Sequence, residues 1–156
     1  MQATLRQPVS FTGVGLHTGG AVHMTVHPAA AHMGLWFRRT DLESSAAIPA
    51  RYDVVPMSRL CTKLQGEDGA EISTVEHVMA ALAACGIHNA LVEVDGPEMP
   101  ILDGSAAPFV RGFLDAGIVR QSARIHAIEI LREVSVSEGE ATASLAPAPG
   151  LEMDFT

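Results

Sequence analysis

The sequence predicts an α+β fold: a two-layer sandwich in which a mostly antiparallel sheet packs on two helices, followed by the first strands of a second, similar domain. Three observations carry this expectation. Apolar and polar residues alternate with period two through residues 5–12 and 21–27. The period lengthens to that of a helix near Ser73 and again near Ala107, and each helical stretch ends at a glycine, Gly86 and Gly117. Beyond Arg124 the pattern returns to strands and is still alternating at Phe155. The boundaries expected are residues 1–121 for the first domain and 122–156 for the incomplete start of the second.

Taken in order, residues 5–12 read as a strand, with Val9 and Phe11 on one face and Ser10 and Thr12 on the other. The glycine-rich run from Gly13 to Gly20 is a turn. In 21–27, Val22, Met24 and Val26 oppose His23, Thr25 and His27. Residues 35–39 form a third strand, 48–55 an extended stretch broken by prolines, and 60–64 a short strand leading to a hairpin signal at Glu67-Asp68-Gly69. A helix is expected over 73–85, a strand over 90–94, and a second helix over 107–116 with Phe109, Val110, Phe113 and Leu114 on one face. Strands are then expected over 125–131, 134–136, 143–145 and 151–155.

Composition excludes several classes of function. With 47% hydrophobic and 18% charged residues, the chain is not disordered. Ten Lys and Arg against eighteen Asp and Glu leave a net charge of −8 and no basic stripe, so no nucleic-acid partner is expected. The longest nearly apolar run, 78–87, falls well short of the roughly 20 residues of a membrane span, so no transmembrane segment is expected. The first residues contain no apolar signal core, which makes a cytoplasmic location the expectation. Two cysteines, Cys61 and Cys85, form neither a disulfide scaffold nor a Cys-x-x-Cys site.

The first helix holds the most informative pattern. On a helical wheel Val75, Val78, Met79 and Leu82 form a core stripe, while His77, Ala80, Ala81 and Ala84 lie opposite. A helix apolar on both sides needs covering on both sides, so self-association, or docking of a second domain on the alanine face, is expected. Glu76 and His77 interrupt this pattern in the first turn. Ser73-x-x-Glu76 has the form of a capping box, which would account for Glu76 locally. On local grounds alone, a hydrogen-bonded interior or interface histidine outranks a metal ligand at His77.

The remaining candidates are weaker. Gly13-x-Gly15 lacks the third glycine of a dinucleotide loop, since Thr18 stands there, and a strand follows instead of a helix. His23 and His27, four apart on a strand, are separated by about 13 Å, too far to share a zinc whose ligands sit at about 2 Å. They are expected to be exposed. His32, His88 and His126 have no supporting pattern. Cys61, on the 60–64 strand, has no evident base and reads as a small buried residue. Asp103 or Ser105 is expected to cap the second helix.

Several motifs in order along nearly the whole chain resemble the UDP-3-O-acyl-N-acetylglucosamine deacetylase family. They are Gly13-Val14-Gly15-Leu16-His17-Thr18-Gly19, Arg38-Arg39-Thr40-Asp41, Leu60-Cys61-Thr62, Ser73-Thr74-Val75-Glu76-His77, Asn89, Glu93-Val94, Pro97-Glu98, Pro100-Ile101, and the run from Asp103 to Phe109. The resemblance implies two similar α+β domains with their helix layers packed together, and zinc-dependent removal of the N-acetyl group from UDP-3-O-acyl-N-acetylglucosamine in lipid A biosynthesis. It implies Glu76 as the general base, His77 as one of three zinc ligands, and His17, Leu60, Cys61 and Thr62 beside the substrate. The family's other two ligands lie in a His-Lys-x-x-x-Asp helix of its second domain, a pattern missing from these 156 residues, and Ala141 aligns with a substrate-binding lysine. The sequence therefore implies about half an active site, inactive alone. The alternative is a short, non-catalytic relative that binds a UDP-sugar or regulates a partner.

Overall fold

The computed structural model describes every residue except Ser45 and Thr156. The elements run β1 (Ala3–Leu5), β2 (Val9–Val14), β3 (Ala21–Pro28), β4 (Leu35–Arg39), β5 (Ile48–Pro49), a 3-10 turn (Tyr52–Val54), β6 (Lys63–Gln65), β7 (Glu71–Ser73) and α1 (Glu76–Ala84). β8 (Ala90–Val94), α2 (Ala107–Ala116), β9 (Ile118–Arg120), β10 (Val134–Glu138) and β11 (Ala141–Leu145) complete the order. The described chain divides into two compact units, Met1–Arg124 and Ile125–Thr156.

In the first unit a five-stranded sheet has the order β2-β3-β8-β4-β5 and is antiparallel except for the β4–β8 pair. The expected α+β architecture is observed. Alternation is strict on β3, where Val22, Met24 and Val26 are buried, and on β8, where Ala90, Val92 and Val94 are. These side chains share one core with Phe37 and Ile48 from the sheet, Val78, Ala81 and Leu82 from α1, and Phe109, Phe113 and Ala116 from α2. Each fully buried large side chain of this kind contributes about 1.5–3 kcal/mol. Gly112 lets the sheet edge approach α2, because a Cβ there would lie 2.6 Å from the Phe11 ring. That ring packs edge-on against Phe109 and Phe113, with centroids 5.0 and 6.0 Å away.

Two small ribbons flank the sheet. β1 pairs with β9, and β6 with β7. The single strand expected over 5–12 is two strands, because the chain breaks at Arg6-Gln7-Pro8 and β1 leaves the sheet to meet β9. Asn89, 1% exposed, ties this region together. Its Oδ1 accepts the Gly34 N–H at 2.8 Å, and its Nδ2 donates to Gln2 at 2.9 Å and to Gln121 at 2.7 Å. On α2 the expected apolar face holds except at Leu114, which is 60% exposed.

The second unit contains the hairpin β10–β11, turning through Gly139 at φ 60°. The strands expected over 125–131 and 151–155 do not form among the described residues. Alternation alone gives no ladder without a pairing strand.

Candidate active site

The approach to α1 is set by an unusual backbone. Ser73 closes β7, where it pairs with Lys63, donates its N–H to Pro97 O at 2.9 Å and accepts from Met99 N–H at 3.0 Å. Thr74 then adopts φ 61°, a left-handed conformation that a β-branched residue rarely takes. Val75 becomes the N-cap, without any side-chain cap. The capping box expected from Ser73-x-x-Glu76 therefore does not form: Ser73 is held in a ribbon two residues before the cap. The Glu76 carboxylate turns elsewhere, and its Oε2 accepts the Thr62 N–H at 3.0 Å. The Thr62 carbonyl in turn accepts the Val75 N–H at 3.3 Å.

His77 follows on the same turn, half-buried, and its Nδ1 is shielded from water with no hydrogen-bond partner among the described residues. Buried ring nitrogens are ordinarily satisfied, which makes this one a candidate for a ligand. Beyond it Ala80, Ala83 and Ala84 are exposed, whereas Ala81, expected on that outer face, is buried in the core.

A second carboxylate organises the neighbourhood. Glu98, only 2% exposed, accepts the His17 N–H at 3.0 Å, the Thr18 N–H at 2.9 Å, the Thr18 hydroxyl at 2.9 Å and the Thr74 hydroxyl at 2.9 Å. Burial opposes its ionisation. The two amides and two hydroxyls outweigh burial and hold the carboxyl down at about 2. Glu98 thus fastens the glycine-rich turn to the residue that launches α1. Sequence reasoning gave it no role. The only local hint is a charge set among Gly96, Pro97, Met99 and Pro100.

Four of the residues expected at the site, His17, Cys61, Thr62 and Glu76, fall into two depressions divided by the alternation of the chain entering β6, and His77 and Leu60 line neither of them. One, of about 440 Å³, is lined by His17, Cys61, Lys63, Ser73 and Glu98 among others. The other, of about 280 Å³, is lined by Thr62, Leu64, Val75, Glu76 and Met79, with Tyr52 and Val55 at its rim. Cys61 precedes the strand it was expected to occupy, since Leu60 takes φ 67° and β6 begins at Lys63. Leu60 itself is 90% exposed. Cys61 is a half-buried free thiol whose carbonyl accepts the Ser58 hydroxyl at 2.5 Å. Lys63 Nζ donates to Glu71 Oε2 at 2.8 Å, and this bond raises the pKa of Lys63.

The rings of His23, His27, His32 and His88 have local partners. His23 is exposed and bonds Thr12 at 2.9 Å, and His88 Nδ1 accepts the Ala3 N–H. His27, expected to be exposed, is half-buried with Nε2 2.9 Å from Glu93. Neither Asp103 nor Ser105 takes the expected N-cap position of α2: the N-cap is Ala106, without a side-chain cap bond, while Ser105 Oγ accepts the Ala107 N–H and Asp103 accepts from Ser105 in the turn before it. Among the described residues, no three of His, Cys, Asp and Glu gather into a metal-binding group, and no helix is long and apolar enough to cross a membrane. For a zinc ion, His77 offers one nitrogen without a partner among the described residues, and Glu76, the residue before it, carries a carboxylate. That donor set fits a metal, with further ligands still to be supplied.

Comparison with known proteins places the chain. Residues 2–156 match the family model described as UDP-3-O-acyl N-acetylglycosamine deacetylase. The chain is 48% identical over 155 residues to the UDP-3-O-acyl-N-acetylglucosamine deacetylase of Pasteurella multocida, covering 99% of this chain and 51% of the relative. It is 50% identical over 154 residues to the protein of that name from Idiomarina loihiensis, covering 99% of this chain and 50% of the relative. A Haemophilus influenzae protein of the same name is 48% identical over 155 residues, 99% of this chain and 51% of its own. The chain spans about half the length of the curated relatives it matches.

Proposed function

The chain belongs to the UDP-3-O-acyl N-acetylglycosamine deacetylase family, and from that premise we propose that it carries the base and one metal ligand for zinc-dependent deacetylation of UDP-3-O-acyl-N-acetylglucosamine, a step of lipid A biosynthesis. The observation that supports this most strongly is the start of α1, where Glu76, its carboxylate held by a backbone amide, is followed by His77, whose buried Nδ1 has no hydrogen-bond partner among the described residues.

In this proposal Glu76 is the general base. It takes a proton from water as the oxygen attacks the acetyl carbonyl, and that proton passes to the amide nitrogen as the C–N bond breaks, giving acetate and the free sugar amine. A base must lie within hydrogen-bond reach of the proton it removes, and the Thr62 N–H fixes the direction in which the carboxylate presents itself. His77 would hold zinc through a ring nitrogen. Bound zinc would supply a water with a pKa of roughly 7 and polarise the amide carbonyl. Catalytic zinc keeps three protein ligands and an open position, so two ligands come from residues other than this pair. We place them in the half of the relatives' length that the chain does not span. Alone, the chain would bind zinc weakly and turn over no substrate. His17 and Cys61 on one side, Thr62 on the other, and the exposed Leu60 before them are the proposed substrate neighbours.

The test joins residues 1–156 to the second half of the Pasteurella multocida relative and measures acetate release from the acylated UDP-sugar. Zinc-dependent turnover by the chimera, lost in Glu76→Ala and His77→Ala, is the expected result. Turnover unchanged by both substitutions would overturn the assignment. A folded, zinc-loaded chimera without turnover would favour a non-catalytic, UDP-sugar-binding relative.

A further inference from the structure

Glu98 lies 24 residues from Thr74 and about 80 from the glycine-rich turn, yet its buried carboxylate joins both. Four donors converge on it: the His17 and Thr18 amides and the Thr18 and Thr74 hydroxyls. A group that only accepts satisfies all four, whereas an amide would turn an N–H₂ toward some of them. Gly15 makes room for this arrangement, since a Cβ there would run into Thr18 Oγ1 and Glu98 Oε2.

Thr74 is the residue whose conformation this arrangement controls. Its φ of 61° is unfavourable for a β-branched side chain and persists only where its surroundings enforce it. Backbone bonds hold Ser73 on the preceding side, to Pro97 and Met99, and the Val75 N–H is taken by Thr62 on the following side. Between them, the Thr74 dihedral decides the direction in which Val75, Glu76 and His77 leave β7. We propose that Glu98 is a positioning residue which, by holding the Thr74 hydroxyl, keeps Thr74 left-handed and thereby aims Glu76 at Thr62 and His77 toward its ligand. The same carboxylate seats the turn bearing His17 on that framework. This inference rests on the assignment of Glu76 and His77 made above.

The test is heteronuclear NMR on the 15N-labelled 156-residue chain, with Zn2+ alone as the probe. Glu98→Gln is expected to shift the amide signals of His17, Thr18 and Thr74, and also those of Thr62, Glu76 and His77, which Glu98 does not touch. The Zn2+ concentration that half-shifts the His77 ring signals is expected to rise at least threefold. Adding Thr74→Gly, which takes positive φ freely, is expected to return the Thr62, Glu76 and His77 signals toward wild type while His17 and Thr18 stay displaced. A purely structural role predicts no such selective rescue. If Glu98→Gln displaces the turn but leaves Thr62, Glu76 and His77 in place, or if the glycine rescues nothing, the proposal is overturned. Should Glu98→Gln fail to fold, Thr74→Val removes the same link and leaves the carboxylate its other donors. Unmoved Glu76 and His77 signals in that variant would equally overturn it. The underlying assignment fails differently: zinc-induced shifts that persist in His77→Ala would remove His77 as the ligand while the Glu98→Gln displacements remained.

Discussion

Thr62 holds the start of α1 through both sides of its own backbone. Its N–H donates to Glu76 Oε2 at 3.0 Å and its carbonyl accepts the Val75 N–H at 3.3 Å. The carboxylate is thereby committed to one direction before any substrate arrives, and a hydrogen bond to a charged group is the stronger kind.

Glu76→Gln keeps the shape of the side chain and an acceptor for Thr62 but abolishes the base. In the chimera it is expected to lower kcat by about 10²–10⁴ and to change unfolding free energy by less than about 1 kcal/mol. Acetate release and urea unfolding on the same preparation separate the two effects. A loss of stability large enough to explain the loss of rate would make Glu76 a structural residue.

Acid should find Glu98. Its folded pKa of about 2 lies below the ordinary 4.5. The stability it contributes is therefore complete above about 4.5 and is lost as pH falls toward 2. At about 1.4 kcal/mol per unit the contribution is on the order of 3 kcal/mol. Urea unfolding of wild type and Glu98→Gln from pH 7 to 2 is expected to show curves that converge with acid. A constant gap across that window would mean that the carboxylate is not ionised in its pocket.

Gly15→Ala places a methyl group against Glu98 and Thr18. It is expected to destabilise by about 1–3 kcal/mol and to shrink the difference between neutral and acidic stability, because the carboxylate loses its seat. Equilibrium unfolding at pH 7 and pH 3 measures both effects. The φ at position 15 is not in the left-handed region, so the effect is one of space alone.

Asn89→Ala removes the partner of Gly34 N–H, Gln2 and Gln121 at once in a site 1% exposed. Leaving buried polar groups unpaired costs about 1–3 kcal/mol each, so a loss of at least about 2 kcal/mol is expected in thermal or urea unfolding. Asn89→Asp restores the acceptor but not the two donors, and is expected to recover less than half of it.

The parts of the molecule that were legible in the sequence are those ruled by near-neighbour pattern. The bounds of α2 follow from its apolar spacing and Gly117, and β3, β4 and β8 follow from alternation and length. The position of Glu76 and His77 in the first turn of a helix was readable for the same reason. What escaped was decided by distant partners. Ser73-x-x-Glu76 satisfies the local form of a capping box, but the ladder to Lys63 and the left-handed Thr74 take Ser73 away from the helix. Glu98 was missed because its donors lie on segments far away in sequence. The 60–64 strand was misplaced because Leu60 turns to positive φ, a conformation that its side chain gives no reason to expect.

The most direct measurement is a Zn2+ titration of the 156-residue chain, following the ring nitrogens of all seven histidines by NMR. The His77 ring is expected to move in a weak, saturable response that disappears in His77→Ala. A response confined to the other histidines, with the His77 ring unmoved at saturation, would contradict its assignment as the metal ligand.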